Sequence, residues 1–286
     1  MAEKYIITLS SIPPRFHQIG PVLESLLAQT AKPEKIILYL SRHYGRYPDW
    51  DGALPEVPDG VEIRLVDEDY GPATKVIPAL KQFATGGYNI LFLDDDQIYP
   101  RNLARYMLKI RKRRPNDCLA VSRMLDYDPL PGTTRQFQHT PRPVRRWRKT
   151  HLGYQLHLLW LETLGRITGK TYQEPPRRVY LRSGYADGFE GFRGVMVRPE
   201  FFPPEVFNIP DFARAVDDIW LSGHALRMGH PAWIMGGVFA PCLESKQLPA
   251  HEDETALHHN EFHGRDRKTS NHEVVRYFQE TYGIWL

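Results

Sequence analysis

Three consecutive carboxylates, Asp94, Asp95 and Asp96, directly follow a short apolar run at residues 90–93. That run is typical of a strand buried on both faces and is too short to predict a helix. Adjacent negative charges at the end of a buried strand need a cation or hydrogen-bond donors to neutralise them. Oxygen ligands suit a hard divalent ion such as Mg²⁺ or Mn²⁺, which would usually hold a phosphate-bearing substrate. The alternative is an exposed acidic turn that happens to follow a strand.

The loop at residues 10–15 is a second candidate for binding such a substrate. It begins with Ser10, contains Pro13 and ends with Arg15, and it follows an apolar segment at residues 5–9. A guanidinium at this place could pair with a phosphate or stack against a base. The alternative is a surface arginine after a proline turn.

The segment at residues 67–75 is a third candidate. Gly71 permits the backbone to approach a ligand closely, and Lys75 adds a positive charge to the first turn of the predicted helix that follows. The free N–H groups at the start of that helix could bind an anion, and Asp69 could accept hydrogen bonds from a base or ribose. The alternative is ordinary helix capping by Asp69 or Thr74.

The hydrophobic pattern of the first half alternates strands with helices, and alternation of this kind predicts a mainly parallel sheet with ligands at the carboxyl ends of its strands. The three loops should therefore meet at one edge. The pattern predicts strands at 5–9, 35–40, 61–66, 90–93 and 118–122, and helices at 21–29, 74–83, 102–113, 152–164, 216–228 and 271–282.

Bulk properties place the chain among ordinary globular proteins. Its 286 residues are enough for one large α/β domain, and a net charge of +3 is too small to indicate a nucleic-acid partner. Cys118 and Cys242 are the only cysteines, which favours a reducing compartment, although the two could still pair. We find neither a signal peptide nor an apolar run long enough to span a bilayer, so we expect a cytoplasmic protein.

Three segments together resemble the GT-A glycosyltransferases, especially their large family-two-like group. They are the proline-containing loop after the first strand, the Leu-Asp-Asp-Asp end of the strand at 90–93, and Ala-Val-Asp-Asp-Ile-Trp-Leu at residues 215–221. The resemblance extends from about residue 5 to residue 263. It implies an α/β fold that is GT-A-like and Rossmann-like, a single domain with a mainly parallel sheet flanked by helices. Residues 1–125 would form the half that binds a nucleotide-sugar, and residues 126–286 the acceptor-binding half and the C-terminal tail.

The resemblance also implies roles for the carboxylates. Asp96 would bind Mn²⁺ or Mg²⁺ most closely, Asp94 would contact the metal or the ribose, and Asp95 would lie beside the donor. Asp218 matches the general base that deprotonates the acceptor hydroxyl for an inverting displacement, and a retaining mechanism is the alternative. Asp217 takes the place of the usual Glu, which leaves open which of the two acts. The alternative for Asp217 and Asp218 is that they complement the dipole of the helix they begin.

Two further expectations follow from this resemblance. A late histidine often completes the metal site in these enzymes, and His258 and His259 are the candidates that we favour, although each could be a surface residue. The segment at residues 187–195 would form the floor of the sugar and acceptor pocket. Its glycines would let the backbone approach a sugar, whereas its phenylalanines suit either sugar faces or the core.

A basic stretch at residues 142–149 precedes the apolar segment at 152–164. It contains a cluster of cationic side chains around one tryptophan, namely Arg142, Arg145, Arg146, Trp147, Arg148 and Lys149. This pattern indicates a surface that contacts an anionic membrane at its inner face and reaches a lipid-linked acceptor. The other interpretations are a nucleic-acid patch and a solvated face beside a core helix. We do not expect nucleic acid, because the acidic site would repel a phosphate backbone.

The sequence therefore predicts a metal-dependent glycosyltransferase that moves a sugar from a nucleotide-sugar, a UDP-sugar by default, to a hydroxyl of a glycan or lipid-linked glycan. One alternative is a metal-dependent nucleotidyl or phosphoryl transferase, although the loop at 10–15 lacks the glycines that a triphosphate loop usually needs. Another is a non-catalytic glycan- or nucleic-acid-binding module with a cation site. A structural cation site is usually local, whereas Asp94 and Asp218 are 124 residues apart, which favours an assembled active site.

Overall fold

An eight-stranded mixed sheet forms the centre of the protein in a computed structural model that describes residues 3–124, 126–135, 137–170, 172, 177–238, 242–243 and 267–286. The strands of this sheet are β1 (Tyr5–Ser10), β2 (Ile36–Ser41), β3 (Val61–Val66), β4 (Asn89–Phe92), β6 (Cys118–Arg123), β9 (Gly184–Ala186), β10 (Phe189–Val197) and β11 (Ala232–Ile234). Two small two-stranded sheets pair β5 (Gln97–Ile98) with β12 (Cys242–Leu243) and β7 (Val144–Arg145) with β8 (Tyr180–Arg182).

The order of the central sheet is β3-β2-β1-β4-β10-β6-β11-β9. The strands β1, β2, β3 and β4 pair in parallel, and β11 pairs in parallel with β6. β10 runs antiparallel to both of its neighbours, β4 and β6, so β4 and β6 point the same way, and β9 runs antiparallel to β11. Six of the eight strands therefore share one direction, which confirms the predicted mainly parallel, Rossmann-like α/β sheet and is consistent with the GT-A-like arrangement.

Six α-helices accompany the sheet in the described residues. They are α1 (Gly20–Leu27), α2 (Ile77–Gln82), α3 (Leu103–Arg111), α4 (Leu152–Thr168), α5 (Asp217–Arg227) and α6 (Arg267–Tyr282). Short 3₁₀ helices occupy Pro13–Gln18, Gly71–Lys75, Arg148–Thr150, Pro199–Phe201, Pro204–Phe207 and Asp211–Ala213. In the described part of the chain, no helix is both long enough and apolar enough to cross a bilayer.

The predicted helix at 74–83 is in fact two elements, the 3₁₀ helix Gly71–Lys75 and the shorter α2. Pro78 lies in the first two positions of α2. A proline is compatible with that position because the first N–H groups of a helix have no partner within it. The interruption moves Lys75 from the start of an α-helix to the end of a 3₁₀ turn.

The core of the protein lies on both faces of the central strands. β2 and β4 are buried along their whole length, and β1 is buried up to its last residue. The edge strand β3 is only half-buried. Because β1, β2, β3, β4 and β6 point the same way, the segments that follow them all leave the same edge of the sheet, as the sequence predicts.

Candidate functional site

A cavity of about 1000 Å³ opens at this edge of the sheet. Its walls come from the segments that follow five strands, from β10, from the N-terminal end of α5 and from residues 271–279 of α6. The polar and charged residues that line it include Ser10, Ser11, Arg15, Tyr44, Arg46, Tyr47, Asp69, Lys75, Asp94, Asp95, Asp96, Asp126, Asp128, Glu190, Arg193, Asp217, Asp218, Asn271, His272, Arg276 and Gln279. Both predicted carboxylate clusters therefore contribute to the wall of one pocket.

The first cluster follows β4, and its three members have different partners. The Asp94 carboxylate accepts a hydrogen bond from Lys75 Nζ at 2.7 Å. The Asp95 carboxylate accepts from Ser11 Oγ at 2.5 Å and from Arg15 Nη1 at 2.9 Å. Asp96 keeps a longer contact of 4.0 Å with Arg15. Burial, followed by the charges of Asp94 and Asp95, raises the pKa of Asp96 to about 6.

Tyr99 fixes the turn that carries these carboxylates. Its hydroxyl accepts a hydrogen bond from the backbone N–H of Asp94 at 3.0 Å and donates to the carbonyl oxygen of Phe192 at 2.9 Å. Burial raises the pKa of Tyr99 well above its usual value, so the phenol stays protonated as a donor. This residue ties the carboxylate turn to β10, and its role was not predicted from the sequence.

The loop after β1 reaches the same pocket. Ser10, Ser11 and Arg15 line the cavity, whereas Pro13, which begins a 3₁₀ helix, is not among the lining residues. Burial alone would lower the pKa of Arg15, but the charges of Asp95 and Asp96 raise it. The guanidinium thus partly neutralises Asp95 and Asp96. It also lines the cavity, where a phosphate could lie.

The segment after β3 forms a closed turn. The carboxylate of Asp69 accepts hydrogen bonds from the backbone N–H of Gly45 at 3.0 Å and of Gly71 at 2.9 Å. Gly71 has a φ of +58°, and a Cβ atom there would lie 3.2 Å from the carbonyl oxygen of Arg214. Asp69 and Gly71 both line the cavity. The N–H of Gly71, which is the first of the following 3₁₀ turn, already donates to Asp69 and is therefore not free to bind an anion.

Lys75 is buried between the two carboxylate clusters. Its ammonium lies 2.7 Å from Asp94 Oδ1 and 3.1 Å from Asp217 Oδ2, and the side chain is only 5% exposed. Burial alone would lower its pKa, but the charges of Asp217, Asp94 and Asp218 raise it well above its usual value. Lys75 is therefore an internal cation that joins the end of β4 to the start of α5.

The second cluster, Asp217 and Asp218, begins α5. Asp218 Oδ2 accepts a hydrogen bond from the backbone N–H of Gly191 at 2.9 Å, while its Oδ1 is buried without a hydrogen-bond partner among the described residues. Burial, followed by the charge of Asp217, raises the pKa of Asp218 to about 8. Asp217 Oδ2 is likewise buried without a hydrogen-bond partner, but it lies 3.1 Å from Lys75 Nζ in an ion pair. We therefore expect Asp218 Oδ1, rather than Asp217, to be the oxygen that meets a ligand.

The segment at 187–195 is only partly a pocket floor. Glu190 and Phe192 line the cavity, whereas Phe189 is fully buried and packs edge-on against Phe92 at 5.9 Å. Gly191 and Gly194 have different neighbours. A Cβ atom at Gly191 would lie 2.8 Å from Asp218 Oδ1, and one at Gly194 would lie 3.0 Å from the core residue Leu93.

Two parts of the wall were not singled out in the sequence. One is α6, which contributes Asn271, His272 and Gln279. The other is the segment at 126–131 after β6, and the Gln279 amide donates to the backbone oxygen of Asp128 at 2.9 Å. Neither the loop Asp-Tyr-Asp-Pro-Leu-Pro at 126–131 nor the pattern of α6 gives a sequence signal of a shared pocket.

Two carboxylates of the site, Asp94 and Asp96, could bind a divalent metal ion. Asp94 and Asp96 both line the cavity, and their side chains are 29% and 18% exposed. The raised pKa of Asp96 indicates negative charge that is only partly neutralised, which favours a cation. Among the described residues, no group of three or more metal-binding side chains is gathered. His258 and His259 lie outside the described residues. The described part of the chain thus offers two carboxylates, which fits an ion that takes its remaining ligands from water and phosphate.

Comparison with family models and with curated proteins finds no match. Among solved structures, the chain is similar to S. aureus TarS 1-349, with 12% identity and a TM-score of 0.41 over 83% of this chain and 59% of that chain. The complex of TarS 1-349 with UDP-GlcNAc gives 12% identity and a TM-score of 0.42 over 83% of this chain and 57% of that chain. The chain therefore spans less than two thirds of the length of these proteins. A likeness at this level supports neither an activity nor a residue role for this chain.

Proposed function

We propose that the chain is a metal-dependent glycosyltransferase of the GT-A type. It would move a sugar from a nucleotide-sugar, a UDP-sugar by preference, to a hydroxyl of a glycan or lipid-linked glycan. The observation that carries this proposal is the convergence of Asp94 and Asp96 with the buried, half-partnered carboxylate of Asp218 in one cavity. Neither cluster alone would favour group transfer over simple cation binding.

The donor would occupy the side of the cavity formed by the segments after β1, β2 and β4. Tyr44 and Tyr47 line that side, and the Tyr44 hydroxyl donates to the backbone oxygen of Ser11 at 2.9 Å. Aromatic faces suit a nucleobase, and Arg15 offers a charge-assisted donor to a diphosphate. Mn²⁺ or Mg²⁺ held by Asp94 and Asp96 would supply positive charge to the diphosphate oxygens of the leaving group.

The acceptor would bind on the side of Asp218, Glu190 and Arg193, all of which line the cavity. In its ionised form, Asp218 would take the proton of the acceptor hydroxyl while that oxygen bonds to the anomeric carbon. The bond from the anomeric carbon to the phosphate oxygen breaks, and its electron pair leaves with the nucleoside diphosphate. Direct displacement of this kind inverts the configuration of the anomeric carbon.

Thermal shift with nucleotides tests this proposal. The purified protein would be melted with UDP, GDP, CDP and ATP, each with and without Mn²⁺. A ligand that binds only the native state raises the melting temperature. We expect a Mn²⁺-dependent rise with a nucleoside diphosphate, and loss of that rise in Asp96→Asn. A rise with ATP alone would favour nucleotidyl or phosphoryl transfer instead, and no rise with any nucleotide would favour a binding module.

A further inference from the structure

Helix α4 exposes a row of large apolar side chains. Leu152, Leu156, Leu159, Trp160 and Ile167 are between 58% and 77% exposed, and Tyr154 is the one fully buried side chain of the helix. Large apolar residues exposed singly are normal, but a contiguous apolar surface on one element usually marks an interaction site. The exposure of these residues argues against the interpretation of this segment as a core helix.

These five side chains lie on one face of the helix. At about 100° per residue, positions 152, 156, 159, 160 and 167 fall within a stripe about 100° wide. The stripe is about 23 Å long from its first residue to its last. Tyr154, Leu158 and Leu161, which are buried or half-buried, occupy the opposite face. The helix is therefore apolar on the face toward the protein and on the face away from it. The outer face could pack against another apolar surface.

The same region is strongly basic. Residues 129–173 contain eight Lys or Arg residues and one acidic residue, Glu162. Arg145, Arg148 and Lys149 are exposed, and Trp147 between them is 73% exposed. Arg142 is half-buried and forms ion pairs with Asp126 at 2.5 Å and with Asp187 at 3.0 Å. The exposed cations thus begin at Arg145 and lead directly into the apolar stripe.

We propose that α4 and the basic segment at 145–149 dock on the surface of an anionic lipid bilayer. The leucines, Ile167 and Trp160 would enter the interface between headgroups and acyl chains, while the cations contact the phosphate groups of the lipids. Nucleic acid would satisfy the cations but offers no apolar layer for the stripe. A second copy of the chain facing the same surface would bring two sets of like charges together, which disfavours a symmetric dimer through this face.

The docking surface is joined to the main sheet at its edge strand β9. β7 pairs with β8, and β8 continues through Ser183 into the edge strand β9. The Ser183 hydroxyl accepts a hydrogen bond from the backbone N–H of Gly236 at 2.8 Å, and the backbone oxygen of Tyr180 accepts from Gly237 at 2.9 Å. A membrane at α4 would therefore lie at the β9 side of the sheet. The docking does not depend on the proposed sugar transfer, and it is measured without any donor.

Co-sedimentation of the purified chain with vesicles tests the proposal. The vesicles would contain phosphatidylcholine alone or phosphatidylcholine mixed with phosphatidylglycerol, at low and high salt. We expect binding to the anionic vesicles that weakens with salt. Replacing two exposed cations, as in Arg145→Ser/Lys149→Ser, should lower the partition coefficient by about 25-fold, at about fivefold per residue. The matched pair Lys112→Ser/Arg113→Ser, also exposed but beyond α3, should leave it unchanged.

The apolar stripe has its own variant and control. Leu156→Ser/Trp160→Ser should lower binding to anionic vesicles more than about tenfold, because each buried apolar side chain contributes substantially. Leu54→Ser/Met228→Ser removes two apolar residues that are 45% and 47% exposed elsewhere and should have no effect. Equal melting temperatures would show that each variant is folded. Absence of vesicle binding, binding to a DNA duplex in its place, or a dimer that Leu156→Ser/Trp160→Ser dissociates would overturn the proposal.

Discussion

At the scale of single residues, the site is governed by an excess of negative charge. Two cations, Lys75 and Arg15, lie among five carboxylates: Asp94, Asp95, Asp96, Asp217 and Asp218. Burial of charges that are not fully compensated raises the pKa values of Asp96 and Asp218. The same imbalance that favours a metal ion at Asp96 therefore gives Asp218 the affinity for a proton that a general base requires.

The pH dependence of transfer tests this charge balance. Burial raises the pKa of Asp218 to about 8, and the proposed base can take a proton only when ionised. We therefore expect the rate to rise with pH and to level off above about 8. Asp217→Asn removes the neighbouring charge that helps to raise this pKa, so the rise should move to lower pH. Asp211→Asn, a change at an exposed carboxylate, should leave the profile as in the wild type. A wild-type rate that does not vary with pH in this range would contradict the assignment.

Removal of Lys75 should destabilise the protein. Lys75→Met leaves buried carboxylates without their cation, and breaking a buried ion pair from one side typically costs about 3–5 kcal/mol. The matched change Lys35→Met breaks a half-exposed pair with Glu62, and such pairs contribute at most about 1 kcal/mol. Urea unfolding of both variants measures the difference, and equal losses would show that the buried lysine has no special structural role.

Lys75 also shows what single residues could and could not reveal in the sequence. Its position after Gly71 predicted a positive charge near a phosphate, and it does line the cavity. Its ion pair with Asp217 could not be predicted, because it depends on how the segment after β3 packs against α5, which follows far along the chain. Asp94 and Asp96 were identifiable because carboxylates at the end of a buried strand conflict with burial, whereas Asp218 was singled out only through the family resemblance.

At the scale of elements, the decisive contact is between β10 and the start of α5. Gly191 in β10 donates its N–H to Asp218, and the space that a side chain would fill is taken by Asp218 Oδ1 and Lys75 Nζ. The strand therefore holds the carboxylate through its backbone and leaves room for the cation beside it. The predicted use of Gly191, close approach to a sugar, remains a prediction.

Gly191→Ala should impair transfer while the fold persists. The new Cβ would lie 2.8 Å from Asp218 Oδ1 and 2.9 Å from Lys75 Nζ, so the carboxylate or the ammonium must move. A displacement of this size at the reacting group can reduce the rate by about 100-fold. Gly20→Ala, at a helix start with nothing within 4 Å of the new Cβ, is the matched control and should keep full activity. Normal activity in Gly191→Ala would show that the contact between Gly191 and Asp218 is not needed for catalysis.

The boundaries of an element could be predicted where a strong apolar pattern covers one strand or one helix and no second element. The strands β1, β3 and β4 lie within a residue or so of their predicted positions. The predicted helix at 74–83 was wrong in its first three residues, because a 3₁₀ turn ends at Lys75 before α2 begins at Ile77. Helix α4 was predicted from its leucines, but their pattern could not show that five large apolar side chains face away from the protein.

At the scale of the whole molecule, the sheet order brings distant segments together. β10 lies between β4 and β6, so the residues after β4 face the strand that contacts α5. The convergence of the loops after β1, β3 and β4 could be predicted from alternation alone. The insertion of an antiparallel strand could not, because its pairing depends on two neighbours that are distant in sequence. The same holds for α6, which completes the cavity wall from the end of the chain.

The central claim is that the two carboxylate clusters have separate tasks, donor binding at Asp96 and proton removal at Asp218. The most direct measurement determines nucleoside diphosphate affinity with Mn²⁺ and the rate of transfer in the same preparations of wild type, Asp96→Asn and Asp218→Asn. We predict that Asp96→Asn loses binding and transfer together. Asp218→Asn should bind like the wild type and lose about 10²–10⁴-fold in rate. Near-normal transfer by Asp218→Asn would contradict the account.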